Sequence, residues 1–350
     1  MAYKTLVLGA SYGSLLGTKL LMAGHDVTLV CRRETADLIN AEGTEVRIKL
    51  RDEDEHRAIR SGDQPGKLDA TTPGEVDLAQ YDMVALAMQE PQYGSDDIAK
   101  LLSQIAEAGL PCLSIMNMPP LPYLRRIPGV EAAALRDAFS CPDVWSAFTP
   151  GNVTLCSPDP QAFRLPDEGP NVLFVGLPTN FKAARFEKEE HNEMLRQMEA
   201  DIAAVRLDGK DVPVKLRVSD SLFVPLAKWS MLLTGNYRCV KSDGVQPIKE
   251  AVHGDADRSE AIYEHVNAIA RKLGADAGDQ VPFAKYAAAA QNLLKPSSVA
   301  RAIDGGAENV ERVDMVVKLI GDSIGMSNAD VDAVVDTVNT RIASNRRIAA

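Results

Sequence analysis

The stretch that decides the fold is Lys4-Thr-Leu-Val-Leu-Gly9-Ala-Ser11-Tyr12-Gly13-Ser14, followed one helix-length later by His25-Asp-Val-Thr-Leu-Val-Cys31-Arg32-Arg33. An apolar strand runs into a glycine turn, the turn opens a helix, and a second apolar strand ends in two arginines. Such a strand–turn–helix–strand unit suits a dinucleotide, because the helix N-terminus offers unpaired N–H groups and a positive dipole to a pyrophosphate. The glycine spacing departs from G-x-G-x-x-G. Either Ser11 and Ser14 replace the second and third glycines, or the turn is one residue short and Gly13 serves as the third. The shorter turn is favoured, since Gly13, Gly17 and Gly24 then keep a natural helix length. In both readings Ser11 stands where a glycine would let backbone approach phosphate. The end of the second strand selects the nucleotide. An acid there would bind a ribose 2′-hydroxyl, whereas Arg32 and Arg33 suit the 2′-phosphate of NADP. The structural alternative is that both arginines only solvate a strand end.

Working outward, 350 residues suggest two domains, and 45% hydrophobic with 25% charged residues is enough for sizeable cores. A net charge of −11 argues against nucleic acid or an anionic membrane as partner. No apolar run reaches membrane-span length, and the first strand leaves no room for a signal peptide. The five cysteines are scattered without C-x-x-C spacing, and the five histidines are dispersed. These patterns predict reduced thiols, a cytoplasmic protein and no metal site.

The pattern predicts a helix over 34–40, a strand over 45–50, a charged surface excursion over 51–66, and buried strands over 82–88 and 111–116 around a helix at 95–108. Short strands follow between 144 and 178, then an amphipathic helix over 187–205 and a last strand over 212–218. Beyond about residue 220 the pattern is almost wholly helical. Strands alternating with helices imply a parallel, doubly wound sheet.

Several positions could carry chemistry. Lys228 lies in the apolar stretch Ser221–Asn236 and either snorkels to the surface or sits desolvated in a cleft, where it could protonate a developing alkoxide. Asn236 lies eight residues on, two turns away on roughly the same helix face. Ser297 and Ser298 begin a helix, where a capping role is the alternative to ligand binding. Glu308 and Glu311 are candidate acids or solvated helix charges. Asn117, at the C-terminal end of a strand, falls where open α/β sheets bind ligands.

In their order and spacing these pieces resemble the ketopantoate reductase family over nearly the whole chain. The shared pieces are the Gly9–Gly17 turn and helix, Ala23-Gly-His-Asp-Val-Thr-Leu-Val-Cys-Arg, the strand ending at Asn117, Gly151-Asn-Val, Lys228 with Asn236, and Ser297-Ser298-Val with Glu308. The resemblance implies an α/β, Rossmann-type domain with a mostly parallel sheet over 1–218, an all-helical substrate and dimerisation domain over 219–350, and an active site in the cleft between them. It implies hydride transfer from NADPH to a small 2-oxo acid, with Lys228 as general acid and Glu308 as the orienting acid, for which Glu311 competes. Asn236 and Ser298 would contact substrate, and Asn117 would bridge nicotinamide and substrate. Gly9, Ser11, Tyr12, Gly13, Ser14, Arg32, Arg33 and Gln89 would complete the NADP(H) site, and a homodimer is implied.

The chain departs from the family pattern at four points. Gln89 replaces a cofactor-contacting lysine, and Asn117-Met-Pro-Pro replaces Asn-Gly. Leu232 replaces a substrate-binding asparagine, and Tyr237 replaces a proline. The pocket implied is bulkier and less polar than one for ketopantoate. An opine- or imine-reducing dehydrogenase of similar architecture, and a catalytically silent NADP-binding protein, are the competing readings.

Overall fold

The computed structural model describes residues 2–349, which divide into two compact units. The first comprises Met1–Met88, Gln92–Met116 and Val144–Asp220, and the second Gln89–Pro91, Asn117–Asp143 and Ser221–Ala350. Ser221 opens the longest segment of the second unit, which also takes two excursions from the chain after the strands that end at Leu86 and Ile115.

The first unit is built in chain order from β1 (Lys4–Leu8), α1 (Tyr12–Met22), β2 (Asp26–Val30), α2 (Arg33–Glu42), β3 (Glu45–Lys49), β4 (His56–Arg60), β5 (Leu68–Thr71), β6 (Met83–Leu86), α3 (Asp96–Ala108) and β7 (Cys112–Ile115). The chain leaves for a short helix, α4 (Leu121–Leu124), in the second unit. It returns as β8 (Val153–Ser157), β9 (Gln161–Phe163), β10 (Val172–Leu177), β11 (Phe181–Ala184), α5 (Glu189–Ala204), the hairpin β12 (Arg206–Leu207) and β13 (Lys210–Asp211), and β14 (Leu216–Ser219).

Among the described residues the main sheet has eight strands in the order β14-β11-β8-β7-β6-β1-β2-β5. The pairs from β5 through β8 are parallel, and only β8–β11 is antiparallel. Strand order reverses at β1, so the crevice beyond the C-terminal ends of β1 and β6 is where an α/β sheet of this kind takes a ligand. The strands β6 and β7 are buried throughout, as expected of parallel strands covered on both faces.

A second sheet, β4-β3-β10-β9, was not legible as such. The charged stretch 51–66 was expected to be an excursion, yet it contains β4, paired antiparallel to β3. Its charges are neutralised nearby: Arg57 pairs with Glu53 of the preceding turn at 2.8 Å and Arg60 with Glu45 across the β3–β4 pair at 3.0 Å, while Ile59 is the strand's buried residue. The strand expected over 212–218 is confined to Leu216–Ser219, because Val214 adopts φ 63°, a left-handed conformation that ends extended pairing for a β-branched residue.

The second unit contains α6 (Lys228–Met231), continued by a π-helical turn at Leu232–Asn236, then a small hairpin of β15 (Val240–Lys241) and β16 (Gly244–Val245). Six further helices follow among the described residues: α7 (Ile248–His253), α8 (Ala256–Lys272), α9 (Phe283–Ala290), α10 (Ser298–Asp304), α11 (Val313–Ser323) and α12 (Ala329–Ala349). The hairpin interrupts the helical pattern expected beyond residue 220. None of the helices among the described residues is long and apolar enough to cross a membrane.

Candidate active site

The glycine turn lies in the first unit. Gly9 follows β1 with φ 107°, and a Cβ there would meet Met88 Cγ at 2.7 Å and the Ala87 carbonyl at 2.8 Å. Only glycine fits. At Gly13 a Cβ would lie 2.5 Å from Val7 Cγ1, so Gly13 is the glycine that lets α1 pack closely on β1. That is the part of a third fingerprint glycine, reached with a turn one residue short. The Ser14 hydroxyl donates to the Ala10 carbonyl at 2.5 Å and the Ser14 N–H to Ser11 at 3.1 Å. Ser11 is exposed and gives α1 no side-chain cap, which leaves the helix N-terminus open to an anion. Tyr12 donates its hydroxyl to the Pro160 carbonyl. An open glycine turn, an uncapped helix and the strand reversal at β1 together fit a dinucleotide.

The two arginines differ. Arg33 donates to Glu75 at 2.5 Å and reaches Thr72 at 3.4 Å, so its charge is already compensated. Of the two arginines expected at a 2′-phosphate, Arg33 is thus the one engaged by a carboxylate. Arg32 is exposed at the start of α2. Gln89 is exposed and belongs to the segment Gln89–Pro91 of the second unit.

A group of buried polar residues gathers within the second unit. Glu90 is fully buried, and its carboxylate accepts the Ser140 and Cys141 N–H groups at 3.0 and 2.9 Å and the Cys141 thiol at 3.1 Å. Its backbone N–H donates to the Glu311 carboxyl, which also accepts from the Asn117 side chain and faces the Lys228 ammonium. Burial pushes the Glu311 carboxyl up to about 7, and the Glu90 carboxylate adds to the rise. The Glu90 N–H, Lys228 and Asn117 act against it. With its amide N–H₂ on Glu311, Asn117 keeps a buried Oδ1 that has no hydrogen-bond partner among the described residues. A buried, unfilled acceptor is a seat for a donor supplied from outside.

Two residues fix this group from behind. Tyr237 donates its hydroxyl to the Glu311 carbonyl at 2.5 Å and accepts the Val313 N–H at 2.9 Å. Arg312 makes a bidentate pair with the buried Asp314, both contacts at 2.9 Å, and its N–H reaches Met118 Sδ at 3.3 Å. The segment carrying Glu311 is thereby tied to the residue after Asn117. In sequence Tyr237 stands only as the replacement of a proline; its hydrogen bonds join residues 74 and 76 positions away, which no local pattern signals.

Three expected positions move. Glu308 is exposed, and its backbone carbonyl accepts from Arg346 at 3.0 Å, so the acid beside Asn117 and Lys228 is Glu311. Ser298 is exposed in the first turn of α10. Ser297 instead caps that helix and donates to the Asn236 carbonyl at 2.6 Å. Lys228 and Asn236 are not simply two α-helical turns apart, because the π-helical turn widens the winding before Asn236.

No protein-family model and no curated protein matches the sequence. Among solved structures the chain is similar to 2-dehydropantoate 2-reductase from Methylococcus capsulatus, with 15% identity, TM-score 0.69, and 98% of this chain and 97% of that one covered. It is likewise similar to a D-mandelate dehydrogenase held with NADH and anilino(oxo)acetate, with 15% identity, TM-score 0.65, and 98% and 99% covered. A dimeric ketopantoate reductase from Staphylococcus aureus shares 9% identity at TM-score 0.62, with 98% and 99% covered. The fold is that of the ketopantoate reductases along the whole chain.

Proposed function

We propose that the chain is a divergent ketopantoate reductase-type enzyme that reduces the carbonyl of a small 2-oxo acid to a hydroxyl with NADPH. The observation that carries this reading is the convergence of Lys228, Glu311 and Asn117, three groups of different chemistry contributed by distant parts of the sequence. The glycine turn at the reversal of strand order supports the dinucleotide half, and the solved structures of similar fold support the reaction class.

When bound, the dinucleotide supplies the hydride that forms the new C–H bond. Lys228 gives the proton that the carbonyl oxygen takes as its π electrons move onto it, so the ketone becomes an alcohol and Lys228 is left neutral until solvent restores its proton. Glu311 faces the Lys228 ammonium, which draws the Glu311 carboxyl toward its charged form. The unfilled Asn117 Oδ1 accepts from a carboxamide or hydroxyl donor and sets its orientation. Asn236 and the start of α10 at Ser297 and Ser298 are placed toward the substrate carboxylate in this reading. Arg32 is the arginine of the second strand left to contact a 2′-phosphate. The homodimer belongs to the same proposal, in keeping with the dimeric enzyme of similar fold.

Mixing the protein with NADPH and a panel of 2-oxo acids, small and aryl-substituted, with and without amines, tests this by loss of nicotinamide absorbance. Turnover with 2-oxo acids alone is expected. Turnover only with an amine present would transfer the reading to an opine- or imine-type dehydrogenase. NADPH binding without any turnover would leave a silent binder.

A further inference from the structure

The segment after β8 folds back over the glycine turn. It is anchored there twice, by the Tyr12 hydroxyl on the Pro160 carbonyl and by Arg164 Nη2 on the Ala10 carbonyl at 3.1 Å. Ala10 lies inside the turn that joins β1 to α1, while the charge of Arg164 is also felt at Cys31, the residue just past β2. Arg164 thus reaches the corner formed by the glycine turn and the end of the second strand, where a Rossmann-type sheet reads the adenosine ribose.

The charge pairing around it is uneven. Arg47, Arg57 and Arg60 of the same small sheet each hold a carboxylate, and Arg33 at the end of β2 holds Glu75. Arg164 has no carboxylate partner among the described residues, and one of its five N–H donors is committed to Ala10. Of the acids flanking Arg164 in the chain, Asp159 pairs with Lys182 at 2.9 Å and Glu168 with Arg47 at 2.5 Å. A guanidinium held in place with its remaining donors unspent is prepared for a dianion with planar, bidentate contact.

We propose that Arg164 is a cofactor-selecting residue that binds the 2′-phosphate of the dinucleotide together with Arg32, taking the part that the Arg33–Glu75 pair denies to Arg33. The proposal rests on the reading of the first unit as a dinucleotide site. It assigns selectivity to a strap more than a hundred residues from the strand where such arginines are sought.

The test is equilibrium binding of NADP⁺ and NAD⁺ to the full chain, wild type and Arg164→Ala, by calorimetry. Arg164 is exposed and outside both cores, so the variant should fold normally, and circular dichroism checks this. Loss of charge-assisted bonds to phosphate should weaken NADP⁺ by about 10- to 100-fold. NAD⁺ should be affected less than about twofold, and Arg164→Lys should recover part of the NADP⁺ affinity. Equal weakening of both dinucleotides would overturn the 2′-phosphate assignment, and unchanged affinities would overturn any role for Arg164. If wild type binds neither dinucleotide, the reading of the site itself fails, and Arg164 with it.

Discussion

Replacing Glu311 by glutamine should make the helical unit more resistant to unfolding above neutral pH and have little effect in acid. The carboxyl rises from an ordinary 4.5 to about 7 in the folded chain, chiefly through burial and then through the facing Glu90 carboxylate. Between those values the folded state keeps a proton that the unfolded state gives up. Stability therefore falls as pH rises through this window and stays lower above it. At about 1.4 kcal/mol for each pH unit, the window corresponds to up to about 3 kcal/mol. Glutamine is the neutral isostere: its carbonyl can accept from the Asn117 amide and the Glu90 N–H, and it carries no charge against Glu90. The difference between variant and wild type should thus move by up to about 3 kcal/mol between pH 4 and pH 8, in favour of the variant at pH 8. Urea unfolding followed by Trp229 emission measures it. Both proteins would carry Trp145→Phe, so that emission comes from the helical unit alone, the chain having two tryptophans. A wild-type-to-variant difference that is the same at pH 4 and pH 8 would refute the reasoning, because it would mean that Glu311 titrates alike in both states.

Four other outcomes are expected. Lys228→Ala should lower turnover by on the order of a hundredfold or more while NADPH affinity stays nearly constant, and wild-type rates would remove Lys228 from the chemistry. Gly13→Ala should destabilise the sheet unit by about 1–3 kcal/mol, since the new methyl lies 2.5 Å from Val7 Cγ1. Adding Val7→Ala should recover part of that loss, and strictly additive effects in urea unfolding would show that the two side chains do not meet. Tyr237→Phe should cost about 1–3 kcal/mol by leaving the Val313 N–H and the Glu311 carbonyl without their shared partner; an unchanged unfolding midpoint would count against that clamp. Arg32→Ala should weaken NADPH far more than Arg33→Ala does, because Arg33 is already held by Glu75; the opposite order, read by calorimetry, would contradict the pairing.

What could be read in the chain follows the range of the interactions involved. The parallel sheet was legible because β1, β2, β6 and β7 are short apolar runs whose burial on both faces needs no partner to be inferred. The turn was legible because Gly13 answers to Val7 of the strand just before it, whereas the contacts that demand glycine at residue 9 come from Ala87 and Met88, far away in the chain. The strand β4 was hidden because it is rich in arginines, whose charges are met by Glu53 of the preceding turn and by Glu45 across the small sheet. The choice of acid was open for a related reason. Glu308 and Glu311 are three residues apart in a stretch without helical phase, and either could have faced inward.

By itself, then, the sequence determined a dinucleotide-type sheet followed by a helical unit, since backbone periodicity and glycine stereochemistry act over a few residues. Tertiary structure decided which charges are spent and which remain. It gave Arg33 to Glu75, placed Glu311 rather than Glu308 beside Asn117 and Lys228, and brought Arg164 over the glycine turn from a distant strap. Charges act through space and burial, and both are set only when segments far apart in the chain have packed together.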